Sequence, residues 1–419
     1  MITYFSTRNY KTFYKRIDLD FKLSKRIKRF LANGIEVCED RYLKTMGVYG
    51  PNNSGKTCLL LSIVNLKNLM LGGKHEPLTN SFVDDQIIDY RVDYIDKGIK
   101  YRYILKYDCS KERYLHEKLS IVSPLKSNRY VEKEEVLIER KGRTKFVCFN
   151  WDKQKCEYMK DNLSDSQPIM MILHFGKDDK ELKQASIAYL RFLGSISDVI
   201  RLDENIDTSL TIDLLKNDPK AALFIKTFVK NCDLHIDDFG IQDSVVSDVD
   251  LSPFGITNLS NENYKLVSTH NEYRVPSFIF DSIGTRKLIA LSGYIYDAIK
   301  NGRVLLIDEI GSSLHHIITR AIVSLFNNDL NKKSQLIFST HDVELMDLVT
   351  LLRKDQIYLV DFDNQTKFST IVHLSDISSK DEDGIRGDED IREYYMKGRY
   401  GAIPTPDLFD ALLEATKDD

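Results

Sequence analysis

Apolar runs divide the chain into strand-forming and helix-forming segments. Residues 2–23 alternate apolar and polar side chains, which is typical of strands that bury one face. Four short runs are apolar throughout and predict strands that are covered on both faces, as in a parallel sheet. These runs occupy residues 46–49, 304–307, 336–338 and 357–360.

A β-rich segment over residues 84–151 follows the first of these runs. Residues 89–108 alternate around Asp96, Lys97 and Gly98, and this pattern predicts a β-hairpin because glycine readily adopts the positive φ of a tight turn. Two more strand-like stretches follow at residues 135–138 and 145–149.

Helical spacing dominates the middle of the chain and recurs near its end. Residues 58–70 are apolar on nearly every face and predict a buried helix. Apolar residues recur every three or four positions between 164 and 232, whereas residues 237–273 are polar and favour loops. Further helices are predicted over residues 286–299 and 314–325. This order predicts an N-terminal lobe, a mainly helical insertion and a C-terminal lobe, over residues 1–160, 161–274 and 275–419.

Composition and charge narrow the class of protein. A hydrophobic content of 42% with 29% charged residues is ordinary for a soluble globular chain, and no apolar run is long enough to cross a bilayer. The net charge of −4 provides no global field for nucleic acid, so we interpret the basic stretch 22–29 as a solvated surface, with a nucleic-acid contact as the alternative. The six cysteines form no CxxC pair, which disfavours a zinc site or a disulfide framework. A cytoplasmic location is expected.

The first chemical motif follows the strand at residues 46–49. Residues 50–57 read Gly-Pro-Asn-Asn-Ser-Gly-Lys-Thr and lie between a predicted strand and a predicted helix, which is the context of a P-loop. Backbone N–H groups of such a loop surround phosphate oxygens; Lys56 would reach the β- and γ-phosphates, and Thr57 would ligate Mg²⁺. We therefore expect ATP and Mg²⁺ as cofactors. The predicted nucleotide contacts are Asn53, Ser54, Gly55, Lys56, Thr57 and Cys58.

Three further elements fit the same chemistry. The strand at 304–307 is followed by Asp308, which can hold Mg²⁺ through water, and by Glu309, which can activate the attacking water. His341 follows the next strand, where a γ-phosphate could be sensed, although a lone histidine is often structural. Ser282 and Gly284 open a helix and can either cap it or present donors to a phosphate.

This combination resembles the ABC-type ATPases, in the branch with SMC, Rad-fifty-like, RecF and OLD proteins. The matching motifs lie within residues 1–110 and 275–405, and include a D-loop at 311–314 and an opening strand motif at 8–13. The resemblance implies an α/β fold: an ABC-type ATPase head with a mixed β-sheet around the P-loop, an antiparallel β subdomain and a helical insertion. Two departures are the absence of a transporter LSGGQ signature and of a coiled-coil arm. Gln86 is the candidate for the Q-loop residue.

The end of the chain is similar to a narrower group. Residues 352–358 and 395–404 resemble the closing motifs of compact ATPases of bacterial anti-phage defence, of the RloA or AbiL kind and related to PARIS and Septu components. This resemblance implies a head-to-tail homodimer, slow regulatory ATP hydrolysis, a separate effector nuclease or toxin, and a phage protein or nucleic acid as trigger, without a membrane partner. Asp361 and Asp363 match the Asp-x-Asp of a TOPRIM nuclease, but too few residues follow them to complete that domain.

Two alternatives remain at this stage. The chain could be a RecF-like repair or recombination ATPase, which would bind DNA with strong salt dependence. It could also be a scaffold in which ATP is structural and is not turned over. The presence of Glu309 favours at least slow hydrolysis.

Overall fold

The structure is a computed structural model that describes residues 1–37, 39–73, 79–125, 128–169, 180–232, 236–241, 266–271, 273–377 and 391–403. Most of the loop predicted over 237–273 and the last residue of the closing motif at 395–404 lie outside the described residues.

The strands cluster at both ends of the chain, as the apolar pattern predicts. They are β1 Ile2–Arg8, β2 Ile17–Asp20, β3 Gly34–Val37, β4 Asp40–Leu43, β5 Thr45–Tyr49, β6 Ile87–Asp96, β7 Ile99–Asp108, β8 Arg113–Leu125, β9 Asn128–Lys141, β10 Lys145–Cys148, β11 Ile196–Arg201, β12 Asp238–Ile241, β13 Leu266–His270, β14 Tyr273–Pro276, β15 Val304–Asp308, β16 Gln335–Thr340, β17 Ile357–Asp363 and β18 Phe368–His373.

Helices connect these strands and occupy most of the described middle region. They are α1 Lys56–Leu71, α2 Lys153–Asn162, α3 Lys180–Ser195, α4 Ser209–Asn217, α5 Pro219–Lys230, α6 Ser277–Phe280, α7 Ile283–Asn301, α8 His316–Asn327 and α9 Ile391–Met396.

A six-stranded sheet in the order β11-β15-β16-β5-β17-β18 forms the centre of the fold. Its first five strands are parallel, and β18 joins antiparallel to β17. Every residue of β5, β15 and β16 is buried, as predicted for strands covered on both faces. Because parallel strands end at one edge of a sheet, the segments that follow β5, β15 and β16 meet there.

A seven-stranded antiparallel sheet in the order β10-β9-β8-β7-β6-β1-β2 forms the second layer. The predicted hairpin is confirmed: β6 and β7 are joined by Lys97 and Gly98, whose φ angles of 47° and 80° suit a two-residue turn. Helix α1 packs in the core between the two sheets. The predicted α/β fold class, with a P-loop sheet and an antiparallel β subdomain, is confirmed.

The middle region departs from the helical prediction at β11. This strand lies within the segment predicted as helical, yet it pairs in parallel with β15 at the edge of the central sheet. Its apolar residues are Ile196, Val199 and Ile200. Their three- and four-residue spacing matches a helix, which explains why the pattern was misleading. Strands β12 to β14 form a small separate sheet, partly where loops were predicted. Among the described helices, none combines the length and apolarity of a membrane span.

Candidate nucleotide site

The P-loop connects β5 to α1 at the edge where the parallel strands end. Gly50, Asn53 and Gly55 have positive φ angles of 153°, 63° and 111°. A Cβ atom on Gly50 would lie 2.1 Å from the carbonyl oxygen of Val360, so this close approach of two backbones requires glycine. Gly55 caps the N-terminus of α1 without a side-chain hydrogen bond. The loop therefore has the tight backbone that phosphate binding at a helix N-terminus needs.

Lys56 is buried and all of its donors are engaged. Its Nζ donates to the carbonyl oxygens of Gly50 and Pro51, each at 3.0 Å, and lies 3.2 Å from Glu309 Oε1. An ammonium group has three donors, so this arrangement uses each of them. Only 4% of the Lys56 side chain is exposed, compared with 18% for Glu309. The Glu309 carboxylate therefore offsets the buried charge of Lys56.

Thr57 and Asp308 bring two oxygen ligands together at the edge of the sheet. Thr57 Oγ1 donates to Asp308 Oδ2 at 2.7 Å, and Ser339 Oγ donates to Asp308 Oδ1. Asp308 is only 1% exposed. Hydroxyl and carboxylate oxygens are the ligands that Mg²⁺ prefers, and Mg²⁺ commonly takes few protein ligands beside phosphate oxygens. The residue types at this point therefore fit Mg²⁺.

Glu309 lies between Lys56 and His341. Its φ of 52° is unusual for a residue other than glycine, and its backbone N–H donates to Ser339 Oγ at 2.9 Å. His341 Nδ1 lies 2.8 Å from Glu309 Oε2. Because an ionised carboxylate only accepts hydrogen bonds, this contact needs a proton on Nδ1. The glutamate is thus held in a strained backbone conformation that aims it into the site.

These groups surround one open cavity of about 460 Å³. The volume is within the range of small-molecule sites. Of the predicted residues, Ser54 does not line the cavity: its side chain is fully buried and its carbonyl oxygen accepts a hydrogen bond from Ser369 Oγ at 2.6 Å. The predicted residues that line the cavity are Asn53, Gly55, Lys56, Thr57, Cys58, Asp308, Glu309 and His341.

Arg201 and Asp203 also line the cavity, and no sequence motif indicated them. They lie at the end of β11, the strand that the helical prediction missed. By contrast, Gln86 lies directly before β6. Its Oε1 accepts a hydrogen bond from Thr79 Oγ1 at 3.2 Å, and it does not line the cavity. The residue that lies beside Asp308 at the end of the neighbouring strand is Arg201. Recognising β11 as a strand of the central sheet would have revealed this residue.

Ser282 and Gly284 do not line this cavity. Ser282 is the N-cap of the 19-residue helix α7, and its Oγ accepts a hydrogen bond from the Thr285 N–H at 3.1 Å. A Cβ atom on Gly284 would lie 2.5 Å from the carbonyl oxygen of Ser313, so the N-terminus of α7 packs directly on the predicted D-loop at 311–314. Within the chain, Ser282 therefore caps α7 and does not contribute to this cavity.

Comparison with known proteins gives one family match. Residues 202–347 match the family described as "AAA domain, putative AbiEii toxin, Type IV TA system". This segment includes Asp308, Glu309 and His341, but not the P-loop. No curated protein matches the chain in sequence.

Solved SMC head domains are among the similar structures. The SMC head domain from Thermotoga maritima has a TM-score of 0.42 and 10% identity, over 89% of this chain and 98% of that chain. An SMC head bound to the C-terminal winged-helix domain of ScpA has a TM-score of 0.44 and 12% identity, over 88% and 96%. An SMC head with an extended coiled coil, bound to the C-terminal domain of ScpA derived from Pyrococcus furiosus, has a TM-score of 0.43 and 11% identity, over 88% and 95%.

Proposed function

We propose that this chain binds ATP with Mg²⁺ in the P-loop cavity and hydrolyses it slowly. The observation that supports this most is the convergence of two pairs on one cavity. Thr57 contacts Asp308 at 2.7 Å, and Lys56 contacts Glu309 at 3.2 Å, although each pair is separated by about 250 residues in sequence. A P-loop without these acids could bind nucleotide for structural purposes alone. The placement of Glu309 supports turnover.

Each residue has a defined part in the proposed reaction. Lys56 and the loop N–H groups hold the β- and γ-phosphates. Thr57 and Asp308 would hold Mg²⁺, which would neutralise charge that develops on the phosphates. Glu309 accepts a proton from the water that attacks the γ-phosphorus, and ADP leaves as the bond to the β-phosphate oxygen breaks. His341 orients Glu309 through Nδ1 and faces the γ-phosphate position.

A second copy of the chain would complete the site through Ser282. Ser282 is exposed, and two neighbouring apolar residues, Phe280 and Ile283, expose 63% and 56% of their surface. Exposed apolar groups beside a helix N-terminus fit a protein interface, with the helix donors facing an anion. A head-to-tail homodimer would place these groups over the partner's cavity. Bound ATP would then determine the shape of the dimer.

In this proposal the dimer regulates a separate effector nuclease or toxin in anti-phage defence. Support comes from the closing motifs at 352–358 and 395–404 and from the toxin–antitoxin wording of the matched family. ATP occupancy would favour one shape of the dimer and so change the contact with the effector. The resemblance does not identify the effector. Purifying the chain together with its bound partner would identify it.

One structural feature favours the second candidate, a DNA-binding repair ATPase. Lys25, Arg26 and Lys28 are exposed on a loop whose backbone is held by the fully buried Arg353. Arg353 donates to the carbonyl oxygens of Ser24, at 3.0 Å, and of two further residues of this loop. A DNA titration with and without ATP separates the candidates, since the repair reading requires ATP-dependent binding that weakens steeply as salt rises.

The ATPase proposal is tested by replacing Lys56. Lys56→Ala should abolish binding of a fluorescent ATP analogue, because the buried cation of the loop is lost. Lys67→Ala is the matched control: Lys67 lies on the same helix but contacts the Ile196 carbonyl oxygen and Asp198, outside the cavity. Equal nucleotide affinity in both variants would overturn the proposed site.

A further inference from the structure

Arg201 ends β11 directly beside Asp308, which ends β15. The two strands run parallel, and their register pairs Arg201 with Asp308. Arg201 Nε lies 4.0 Å from Asp308 Oδ2, the same oxygen that accepts the hydrogen bond from Thr57. A guanidinium group therefore lies next to the position proposed for the metal.

The backbone that follows Arg201 is held through both the N–H and the carbonyl oxygen of Leu202. The Leu202 N–H donates to the Asp308 carbonyl oxygen at 3.1 Å. The Leu202 carbonyl oxygen accepts a hydrogen bond from the buried Lys287, whose Nζ also lies 3.2 Å from Ser313 Oγ. Because the backbone is held in this way, Arg201 can rearrange by moving its side chain while the strand end stays in place.

The head group of Arg201 has contacts that are easily exchanged. It pairs with Asp203 at 3.2 Å and with Glu204 at 2.5 Å, and both carboxylates are exposed, at 45% and 58%. The Arg201 side chain itself is 43% exposed. Exposed ion pairs of this kind are weak, so the guanidinium can leave them for a stronger anion.

The balance of charges in the cavity makes Arg201 important for binding an anionic nucleotide. Among the described residues that line the cavity, Lys56 and Arg201 are the cationic side chains, and they are opposed by Asp203, Asp308 and Glu309. Lys56 is buried and held by three acceptors, whereas Arg201 is 43% exposed and its closest ion pairs are to exposed carboxylates. A triphosphate that enters this cavity therefore meets only one cation that is free to adjust to it.

We propose that Arg201 is a phosphate-binding residue that exchanges Asp308 for the nucleotide. In the structure its positive charge lies beside Asp308. Mg²⁺ held by Thr57 and Asp308 would repel the like charge of the guanidinium at this distance. The guanidinium then turns to the phosphate oxygens, whose geometry it matches with two parallel hydrogen bonds. This inference rests on the proposed ATP site.

The test measures ATP affinity and Mg²⁺ requirement in the same variants. Arg201→Ala should weaken binding of a fluorescent ATP analogue by roughly 10- to 100-fold, the range expected for loss of hydrogen bonds to a charged group. The Mg²⁺ concentration for half-maximal single-turnover hydrolysis, measured at saturating ATP, should fall several-fold, because a competing cation is removed from the site. Structural damage alone would not lower the Mg²⁺ requirement. Arg201→Lys keeps the charge but loses the two parallel hydrogen bonds, so it should restore the wild-type Mg²⁺ requirement and only part of the ATP affinity.

The matched control is Arg303→Ala. Arg303 lies before β15, at the opposite end of the same strand pair, where it donates to the Gly194 carbonyl oxygen at 2.8 Å. It should leave both properties unchanged, and Arg201→Gln provides a second variant that keeps the side-chain length without the charge. Wild-type ATP affinity in Arg201→Ala, together with loss of binding in Lys56→Ala, would overturn the role of Arg201. Absence of ATP binding by the wild-type chain would overturn the proposed function instead.

Discussion

Lys56 and Glu309 form an ion pair, with 3.2 Å between Nζ and Oε1. The same two groups are proposed to act on ATP, one on its phosphates and the other on the attacking water. Lys56 and Glu309 cannot keep this contact with each other when a γ-phosphate lies between them. Binding of ATP therefore replaces an internal acid–base pair by contacts to the substrate, and the cost of breaking that pair is subtracted from the affinity.

Glu309→Gln should bind ATP more tightly and hydrolyse it more slowly. The amide removes the competing carboxylate from Lys56 and the repulsion between Glu309 and the γ-phosphate. Loss of the general base should lower single-turnover hydrolysis by roughly 10²- to 10⁴-fold. Glu344→Gln is the control, because Glu344 is exposed and pairs with Arg392 outside the cavity. Unchanged turnover in Glu309→Gln would rule out Glu309 as the base.

Asp308→Asn should raise the metal requirement selectively. The amide can still accept the hydrogen bond from Thr57, but it offers Mg²⁺ no negative charge. Loss of this ligand should raise the Mg²⁺ concentration for half-maximal hydrolysis by roughly 10- to 100-fold. Binding of the ATP analogue in EDTA is the internal control and should not be weaker than in the wild type. A Mg²⁺ requirement equal to that of the wild type would place the metal elsewhere.

Gly50→Ala should damage the loop itself. Its Cβ atom would lie 2.1 Å from the Val360 carbonyl oxygen, and the φ of 153° is unfavourable for alanine. The free energy of unfolding, measured by urea denaturation, should fall by about 1–3 kcal/mol, and ATP binding should be lost with it. Gly194→Ala is the control: it lies in α3, with nothing within 4 Å of an added Cβ atom. It should be neutral or stabilise by about 0.5–1 kcal/mol. An equal effect of both substitutions would contradict the described loop.

The sequence identified the parts of the site that depend on local pattern. Residues 46–49 and 304–307 are apolar throughout because both faces of β5 and β15 are buried, so the P-loop and the acids after β15 could be placed correctly. The hairpin of β6 and β7 followed from the turn at Lys97 and Gly98. In each case the residues of a short stretch are enough to predict the local structure.

Arg201 could not be found in this way, because its importance comes from a long-range pairing. The spacing of Ile196, Val199 and Ile200 is that of a helix, and only the pairing of β11 with β15 reveals an edge strand. A single arginine after such a segment is common in any sequence. Its place beside Asp308 depends on a contact across more than a hundred residues. Gln86 fits the Q-loop only by its distance from Lys56 in sequence, which does not determine its distance in space.

Asp347 provides a prediction for acid stability. Burial alone would raise its pKa, but hydrogen bonds from Thr350 and Arg320 and from backbone N–H groups outweigh burial and lower the pKa to about 2. An unfolded aspartate has a pKa of about 3.9, so the charged form stabilises the fold above that pH. This stabilisation should be lost as the pH falls from about 4 to about 2.

The measurement is the free energy of unfolding as a function of pH. Asp347→Asn should be less stable than the wild type at pH 7, and its stability should change less between about pH 4 and pH 2. Arg320 of α8 would lose its ion pair to Asp347, which is 2.8 Å long in the structure. Parallel pH profiles of the wild type and the variant would show that Asp347 does not contribute in this range.

The composite site is tested most directly by mixing two inactive variants. Lys56→Ala removes the P-loop cation, and Ser282→Arg blocks the N-terminus of α7; each alone should hydrolyse no ATP. If Ser282 acts in the partner's site, a mixed dimer contains one intact site, formed by the wild-type P-loop of one chain and the wild-type Ser282 of the other. The mixture should then recover roughly one quarter of the wild-type rate, since half of randomly formed dimers are mixed and each has one intact site. No recovery, in variants shown to form mixed dimers, would contradict a site shared between two chains.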